Sequence, residues 1–182
     1  KKAQLGKKYV ESYIYKGDDN CYYEHINGKD IDITEDIPFD LPNEWAWARL
    51  INLCIDISDI DHNMPKSVEN GVLFLSAKDL LNDGSINYTN NVKYISEEDY
   101  VRLSGKSKPQ KGDIIYSRIG ACLGKARIVK EDIRFLVSYS CCTIKPVLIN
   151  KEYLRHILDD VFVLKQAKKK TQSIGVPDLG IA

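Results

Sequence analysis

The 182 residues suit one sizeable domain, and equal numbers of basic and acidic residues, 26 of each, give the whole chain no net attraction to a polyanion. A 43% hydrophobic content excludes a disordered chain, and no apolar run reaches the roughly 18 residues of a membrane span, so we expect no membrane partner. Five cysteines without a C-x-x-C pair argue against a zinc or disulfide framework and favour a cytoplasmic location. The chain opens on Lys1, so we expect a piece of a longer protein.

The charge is unevenly distributed along the chain. Residues 1–50 carry 7 basic and 10 acidic side chains, net −3, and residues 51–100 carry 3 and 9, net −6. Residues 101–182 carry 16 and 7, net +9. Such asymmetry indicates a basic face that attracts an anionic partner.

The first 40 residues have little periodicity. Turn-forming clusters occur at 16–20 and 27–30, and Pro38 and Pro42 follow as typical markers of an entry into a folded unit. We therefore interpret residues 1–40 as an extended connecting arm, and 41–182 as the folded domain.

Short strands dominate the prediction up to residue 103. Alternating Trp and Ala at 45–50 predict a strand with one aromatic face, and 72–77 and 92–95 read as further strands. A capping-box pattern at 96–99 predicts a short helix that runs towards Leu103.

The second half centres on residues 111–127, where a strand is followed by a corner at Gly120 and Gly124. Strands are expected at 126–129 and 135–147. Asn150 then caps an amphipathic helix that ends in a run of lysines. The pattern predicts a mixed α+β fold with many short strands and one late amphipathic helix.

We find no catalytic motif. Gly120 and Gly124 are one residue too close for a P-loop, and Ala126 occupies the position of the magnesium-binding hydroxyl. There is no carboxylate–lysine nuclease motif and no Gly-x-Ser-x-Gly elbow. His62, beside Asp59 and Asp61, fits a solvated acidic loop better than a metal site. We expect no catalysis, cofactor or metal.

Four segments, in this order, resemble the target recognition domains of type I restriction-modification specificity subunits: LPNEWAWARL at 41–50, FLSAKD at 74–79, GDIIYSRIG at 112–120 and LGK at 123–125. The segments IYKGDDNCYYE at 14–24 and DIPF at 36–39 are similar to the connector that leads into the second such domain. The tail IGVPDL at 174–179 resembles the passage to the spacer helix, although the long spacer helices themselves are missing.

The resemblance implies a non-catalytic module with a curled, strand-rich α+β body. Such a module reads one half of a bipartite target in double-stranded DNA. It also directs methyltransferase subunits and, through the complex, the restriction subunit.

DNA contacts of two kinds are expected. Phosphates would be neutralised by basic side chains: Lys106, Lys108, Lys111, Lys125, Arg127, Lys168, Lys169 and Lys170. Base edges would be read in the major groove by Arg118, the best candidate for a guanine, and by further polar tips: Lys78, Asn82, Ser117 and Gln172. Alternatively, Arg118 pairs with Asp113 or another acid inside the fold, and the terminal lysines are only a solvated helix end.

Two other functions remain open. The domain could belong to a fused methyltransferase–nuclease polypeptide. It could also be a protein-interaction module whose basic half docks an acidic partner and binds no DNA.

Overall fold

The computed structural model describes residues 12–171 and 178–180. The chain forms two compact units, Lys1–Ile55 and Asp56–Ala182. The first unit extends beyond the 40 residues that the sequence assigns to an arm, and each unit is described separately below.

The first unit is built on a three-stranded antiparallel sheet in the order β1-β2-β3. Its strands are β1 (Ser12–Lys16), β2 (Tyr22–Ile26) and β3 (Lys29–Asp32). Asn27 and Gly28 join β2 to β3 with φ of 52° and 75°, as a two-residue hairpin turn with two positive φ angles requires. Both turn clusters expected in this region are confirmed, but the segment is a sheet and not merely an extended arm.

The prediction of a strand at 45–50 is wrong. Residues 45–49 have no regular structure, and a single helical turn, α1 (Leu50–Leu53), follows them. Trp47 packs on Phe39 with ring centroids 5.2 Å apart, and Arg49 donates to Glu24 Oε2 over 2.6 Å. Trp47 and Arg49 therefore pack an irregular segment onto its own unit. No strand pairs with this segment.

Two sheets form the body of the second unit. The larger has the order β4-β10-β7-β8, and the smaller has the order β6-β5-β9, with β5 parallel to β9 and antiparallel to β6. Strand β4 begins in the first unit. The strands are β4 (Cys54–Ser58), β5 (Val72–Leu75), β6 (Lys93–Ile95), β7 (Ile114–Ser117), β8 (Ala126–Ile128), β9 (Phe135–Val137) and β10 (Cys141–Pro146).

The smaller sheet is covered on both faces. Leu75 and Phe135 face one buried cluster, which includes Ile115 of the larger sheet. Phe74 faces a second cluster with Leu103. Because both faces are buried, these strands read as continuous apolar runs and not as alternating patterns. The mixed, strand-rich α+β class is confirmed.

Three further helices complete the second unit: α2 (Glu97–Ser104), α3 (Lys151–Leu158) and α4 (Val161–Lys169). The predicted caps are confirmed, since Ser96 accepts from Asp99 N and Asn150 accepts from Glu152 N. The single late helix is in fact two helices. Asp160 has extended backbone, with ψ of 145°, and its side chain caps α4.

Candidate nucleic-acid interface

Arg118, the expected guanine reader, lies inside the second unit with 3% of its surface exposed. Its Nη2 donates to Asp59 Oδ2 over 2.6 Å, and its Nη1 donates to Asp178 Oδ1 over 2.7 Å. The ring of His62 stacks on Tyr139, and its Nε2 lies 3.4 Å from Arg118 Nη2. The structure thus favours the internal ion pair, with Asp59 and Asp178 as partners instead of Asp113.

Ser117 is fully buried at the glycine corner. Its hydroxyl donates to the Cys122 carbonyl and accepts from Lys125 N over 2.9 Å. Gly124 has φ of 99°, and a Cβ there would lie 2.5 Å from Leu164 Cδ1. In this structure Ser117 supports the corner and is not presented to solvent.

Arg127 is also internal, at 4% exposure. Its Nη1 bonds both carboxylate oxygens of Asp159, at 3.1 and 3.0 Å, and its Nε donates to the Leu81 carbonyl over 2.7 Å. Half-buried Lys125 donates to the Leu80 carbonyl over 3.1 Å. Lys125 and Arg127 thus bond the 80–81 backbone to β8 and the residue before it. Arg127 also bonds Asp159 at the junction of α3 and α4.

Lys78, Asn82 and Lys106 are exposed. Lys78 pairs with Asp79 over 2.7 Å and donates to the Asn91 carbonyl, and Lys106 pairs with Asp61. The Lys106–Asp61 pair lies at the surface, where ion pairs contribute little and exchange with solvent ions. Lys78 is itself exposed, but its ammonium group neutralises the Asp79 carboxylate, which is only 2% exposed. Asn82 and Lys106 therefore remain available to a partner, whereas Lys78 is held by its pair with Asp79.

A fixed loop presents Lys108 and Lys111. Asp113 Oδ2 accepts from Gln110 N over 2.8 Å and from Lys145 Nζ over 2.6 Å, while Lys145 also donates to the Lys108 carbonyl over 2.9 Å. Lys108, Gln110 and Lys111 are exposed on this internal support. We name residues 107–113 the lysine loop.

The lysine loop borders an open groove of about 580 Å³. The groove is lined by Tyr100, Lys108, Pro109, Gln110, Lys111, Asp132, Ile133 and Arg134. The Arg134 guanidinium lies 4.9 Å from the Tyr100 ring centre and pairs with Glu97. Lys151 is close by, because its Nζ lies 3.6 Å from the position of a Cβ on Gly112. The groove thus joins basic side chains from two parts of the sequence, and Lys151 lies beside the lysine loop.

The sequence analysis did not predict Arg134 or Lys151 as candidate contact residues. Arg134 follows Glu131 and Asp132, so its local context reads as acidic, and Lys151 reads as the first residue of a helix. No local sequence pattern indicates that either residue lies beside the lysine loop, because long-range packing brings these segments together.

Arginine and lysine have different roles in residues 101–182. All five arginines form ion pairs. Of the eleven lysines, only Lys106 and Lys145 pair with an acid in the part of the chain that the structure describes. The remaining lysines are exposed or half-buried: Lys108, Lys111, Lys125, Lys130, Lys151, Lys165, Lys168, Lys169 and Lys170. Apart from the exposed pair of Arg134 with Glu97, the positive charge left over for a partner therefore belongs mostly to lysine, which acts as a point charge and not as a bidentate fork.

The lysine run closes α4. Lys168 and Lys169 are its last two residues, Lys170 is its C-cap, and all three are exposed. Cations at this end also complement the helix dipole, so both readings of the run, phosphate contact and solvated helix end, are compatible with its position. Gln172, and the tail motif up to Pro177, lie outside the described residues.

Among the described residues, no cluster of three or more His, Cys, Asp or Glu side chains could hold a metal ion. Burial raises the pKa of the Cys141 thiol to about 12, so this sulfur stays protonated near neutral pH. In the same part of the chain, no helix has the length and apolarity to cross a membrane.

No family model and no curated protein matches the sequence. Solved structures do match the fold. A chain from a study of complex assembly and conformational transition in the type I R-M (restriction-modification) system has a TM-score of 0.56 and 19% identity, over 79% of this chain and 36% of that chain. The fold of this chain is similar to that of about a third of a chain from the type I R-M system.

A second solved chain is the HsdS subunit from Thermoanaerobacter tengcongensis, with a TM-score of 0.48 and 20% identity over 72% of this chain and 31% of that chain. The present chain spans about a third of the length of these solved chains. At such identities the likeness to restriction-modification proteins concerns the fold and not the individual side chains.

Proposed function

We propose that this chain is a target recognition domain of a type I specificity subunit. It reads one half of a bipartite target in double-stranded DNA. As part of the complete subunit, it directs methyltransferase subunits and, through them, the restriction subunit, and it performs no catalysis itself.

The observation that carries this proposal is the likeness in fold to a chain of the type I R-M system, at a TM-score of 0.56 over 79% of the chain. The charge distribution supports it independently. Residues 101–182 carry a net charge of +9, and the basic side chains there without an ion pair in the described structure are nine lysines, eight of them exposed. DNA affinity depends mainly on phosphate contacts of such side chains.

The lysine loop is the part of the surface best arranged for DNA. Asp113 and Lys145 hold its backbone from inside, so the backbone that carries Lys108 and Lys111 needs little ordering on binding. Preorganised contacts lose less entropy on association. The exposed Arg134–Glu97 pair lines the same groove and can exchange Glu97 for a phosphate.

Base reading falls to groups other than Arg118 and Arg127, because both guanidinium groups are buried in ion pairs. Gln110 is exposed between the two loop lysines, and its amide can make the paired donor–acceptor contact that distinguishes adenine. Asn82 remains a further candidate.

The proposal is tested by measuring the affinity for a random DNA duplex over a range of salt concentrations. We expect tight binding at low salt, with log affinity falling linearly in log salt concentration. The double variant Lys108→Ala/Lys111→Ala should lower the magnitude of this slope by about two, since each lost phosphate contact removes about 0.9. The matched control is Lys66→Ala/Lys93→Ala, which removes two exposed lysines from the acidic region 51–100 and should leave the slope unchanged.

Equal slopes for the loop variant and the wild-type chain would remove the lysine loop from the interface. No binding of duplex DNA at low salt would contradict DNA recognition as a whole and favour the protein-interaction module.

A further inference from the structure

An aromatic surface covers one face of the sheet in the first unit. The register places Tyr13 opposite His25 and Tyr15 opposite Tyr23, and cross-strand partners point to the same side of a sheet. The Tyr13 and His25 rings stack with centroids 5.0 Å apart, and the Tyr15 and Tyr23 rings with centroids 5.7 Å apart. Tyr13 and Tyr15 are 6.0 Å apart, so the four rings are contiguous. We name them the tyrosine face.

The tyrosine face is turned to solvent. Tyr13 is 54% exposed and Tyr15 is 37% exposed. The opposite face of the sheet carries Glu24, which is buried and accepts two hydrogen bonds from Arg49. The sheet therefore uses one face for its own packing and leaves its rings on the other, as exposed aromatic clusters at binding surfaces do.

Carboxylates surround the rings. Tyr23 donates its hydroxyl to Asp19 Oδ2 over 2.7 Å, and Asp30 Oδ1 lies 2.7 Å from His25 Nδ1. Asp32 is the register partner of Tyr23 on β3, and hence lies on the same side. The Tyr23 hydroxyl, followed by the Cys21 N–H, lowers the pKa of Asp19, and the Thr34 N–H lowers the pKa of Asp32. The rim of the tyrosine face is thus anionic at neutral pH.

Rings beside carboxylates select a cation. An aromatic face attracts guanidinium and ammonium groups, and a neighbouring carboxylate pairs with the same group. A nucleic acid could stack its bases on the rings, but its phosphates would meet the anionic rim and a region of net charge −3 over residues 1–50. Charge complementarity therefore decides between the two kinds of occupant.

We propose that the tyrosine face binds an extended protein segment with arginine or lysine at alternate positions. The 6.0 Å between the Tyr13 and Tyr15 rings is close to the roughly 6.6 Å between alternate side chains of an extended chain. Successive basic side chains can thus stand over successive rings. The partner belongs to a class different from the DNA proposed for the second unit, and neither proposal depends on the other.

The test is calorimetric titration of the 182-residue chain with the peptide acetyl-Arg-Ser-Arg-Ser-Arg-amide, and with the same peptide carrying Glu in place of Arg. We expect only the arginine peptide to bind. The double variant Tyr13→Ala/Tyr15→Ala should weaken its binding by about tenfold. Tyr13→Phe/Tyr15→Phe keeps both rings and should retain wild-type affinity. Ile31→Ala, at a residue 49% exposed on the other side of the sheet, is the matched control.

Far-UV circular dichroism checks that each variant is folded, and Tyr13→Ala alone serves if the double variant is not. No binding of the arginine peptide to the wild-type chain, or equal affinities for wild type and the ring-lacking variants, would overturn the proposal. So would tighter binding of a single-stranded oligothymidine that depends on the same two rings. The affinity for duplex DNA should be the same for wild type and Tyr13→Ala. Failure of peptide binding can therefore be told apart from failure of DNA binding.

Discussion

Arg118 and Asp59 are 59 positions apart in the sequence, yet Arg118 Nη2 donates to Asp59 Oδ2 over 2.6 Å inside the second unit. The same guanidinium holds Asp178 and the Leu179 carbonyl, and the Leu179 N–H donates back to the Arg118 carbonyl over 3.0 Å. Arg118 thus ties residues 178–179 to the end of β7. From the sequence, Arg118 is the best candidate for a base contact. In the structure it holds the last described segment of the chain in place.

Replacing Arg118 by alanine should lower the free energy of unfolding by about 2 kcal/mol, because the half-buried Asp59 carboxylate loses a charged hydrogen-bond partner. Urea unfolding followed by far-UV circular dichroism measures this. Arg102→Ala removes an exposed ion pair with Asp99 and should change the free energy by at most about 0.5 kcal/mol. If Arg118→Ala were as stable as Arg102→Ala and had relaxed preference at one base pair, Arg118 would be a base reader after all.

The first unit should lose stability in acid through Glu24. The Arg49 guanidinium lowers the pKa of the buried Glu24 carboxyl below its ordinary value of 4.5. The pair's stabilisation is therefore complete above pH 4.5 and is lost as the pH falls through the lowered pKa. Both tryptophans, Trp45 and Trp47, lie in this unit, so their fluorescence follows its urea unfolding selectively. Glu24→Gln should be less stable than wild type at pH 7, and this difference should shrink at about pH 3.5. A constant difference at both pH values would contradict the prediction.

Gly124→Ala should destabilise the second unit by at least about 1 kcal/mol. Its φ of 99° strains an L residue, and the added Cβ would lie 2.5 Å from Leu164 Cδ1. Gly105→Ala is the control, since Gly105 has φ of −65° and open space around it, and the substitution should be neutral or slightly stabilising. Thermal unfolding compares the two variants. Similar midpoints would show that the corner at Gly124 tolerates a side chain.

Lys168→Ala should weaken the binding of all duplex sequences alike and lower the magnitude of the salt slope by about 0.9, because a phosphate contact carries no base information. Lys29→Ala, an exposed lysine of β3, is the control. A salt slope unchanged from wild type in Lys168→Ala would identify the lysine run as a solvated helix end.

Helix caps and tight turns were predicted correctly from the sequence where one or two residue types determine the backbone conformation. Ser96 and Asn150 cap helices as expected, and Asn27-Gly28 forms a tight hairpin turn. The errors occur where the pattern depends on distant partners. The alternation at 45–50 is that of a strand, but a strand also needs a neighbour to pair with. The late helix breaks because the Asp159 carboxylate bonds Arg127 and Ala126 N on β8, which no helical periodicity reveals.

The site was harder to predict than the fold, because charge alone does not tell a side chain that faces solvent from one that pairs internally. Ser117, Arg118 and Arg127 are buried, whereas Lys108 and Lys111 are exposed on a supported loop. Whether an arginine near the glycine corner is internal depends on Asp59, Asp159 and Asp178, all at least 32 positions away from their partners. The resemblance in the sequence and the likeness of the solved structure point to the same fold. The ion pairs in the structure then show which basic side chains of this chain stay exposed.

The central claim, recognition of a DNA sequence, is tested most directly by selection from a library of randomised DNA duplexes with the purified 182-residue chain. The chain should enrich one short contiguous motif, the half-site of a bipartite target, and Gln110→Ala should relax the preference at one of its positions while leaving the chain folded. A bound pool that stays random in sequence, although the same chain binds duplex DNA in a salt-dependent manner, would contradict sequence recognition by this domain.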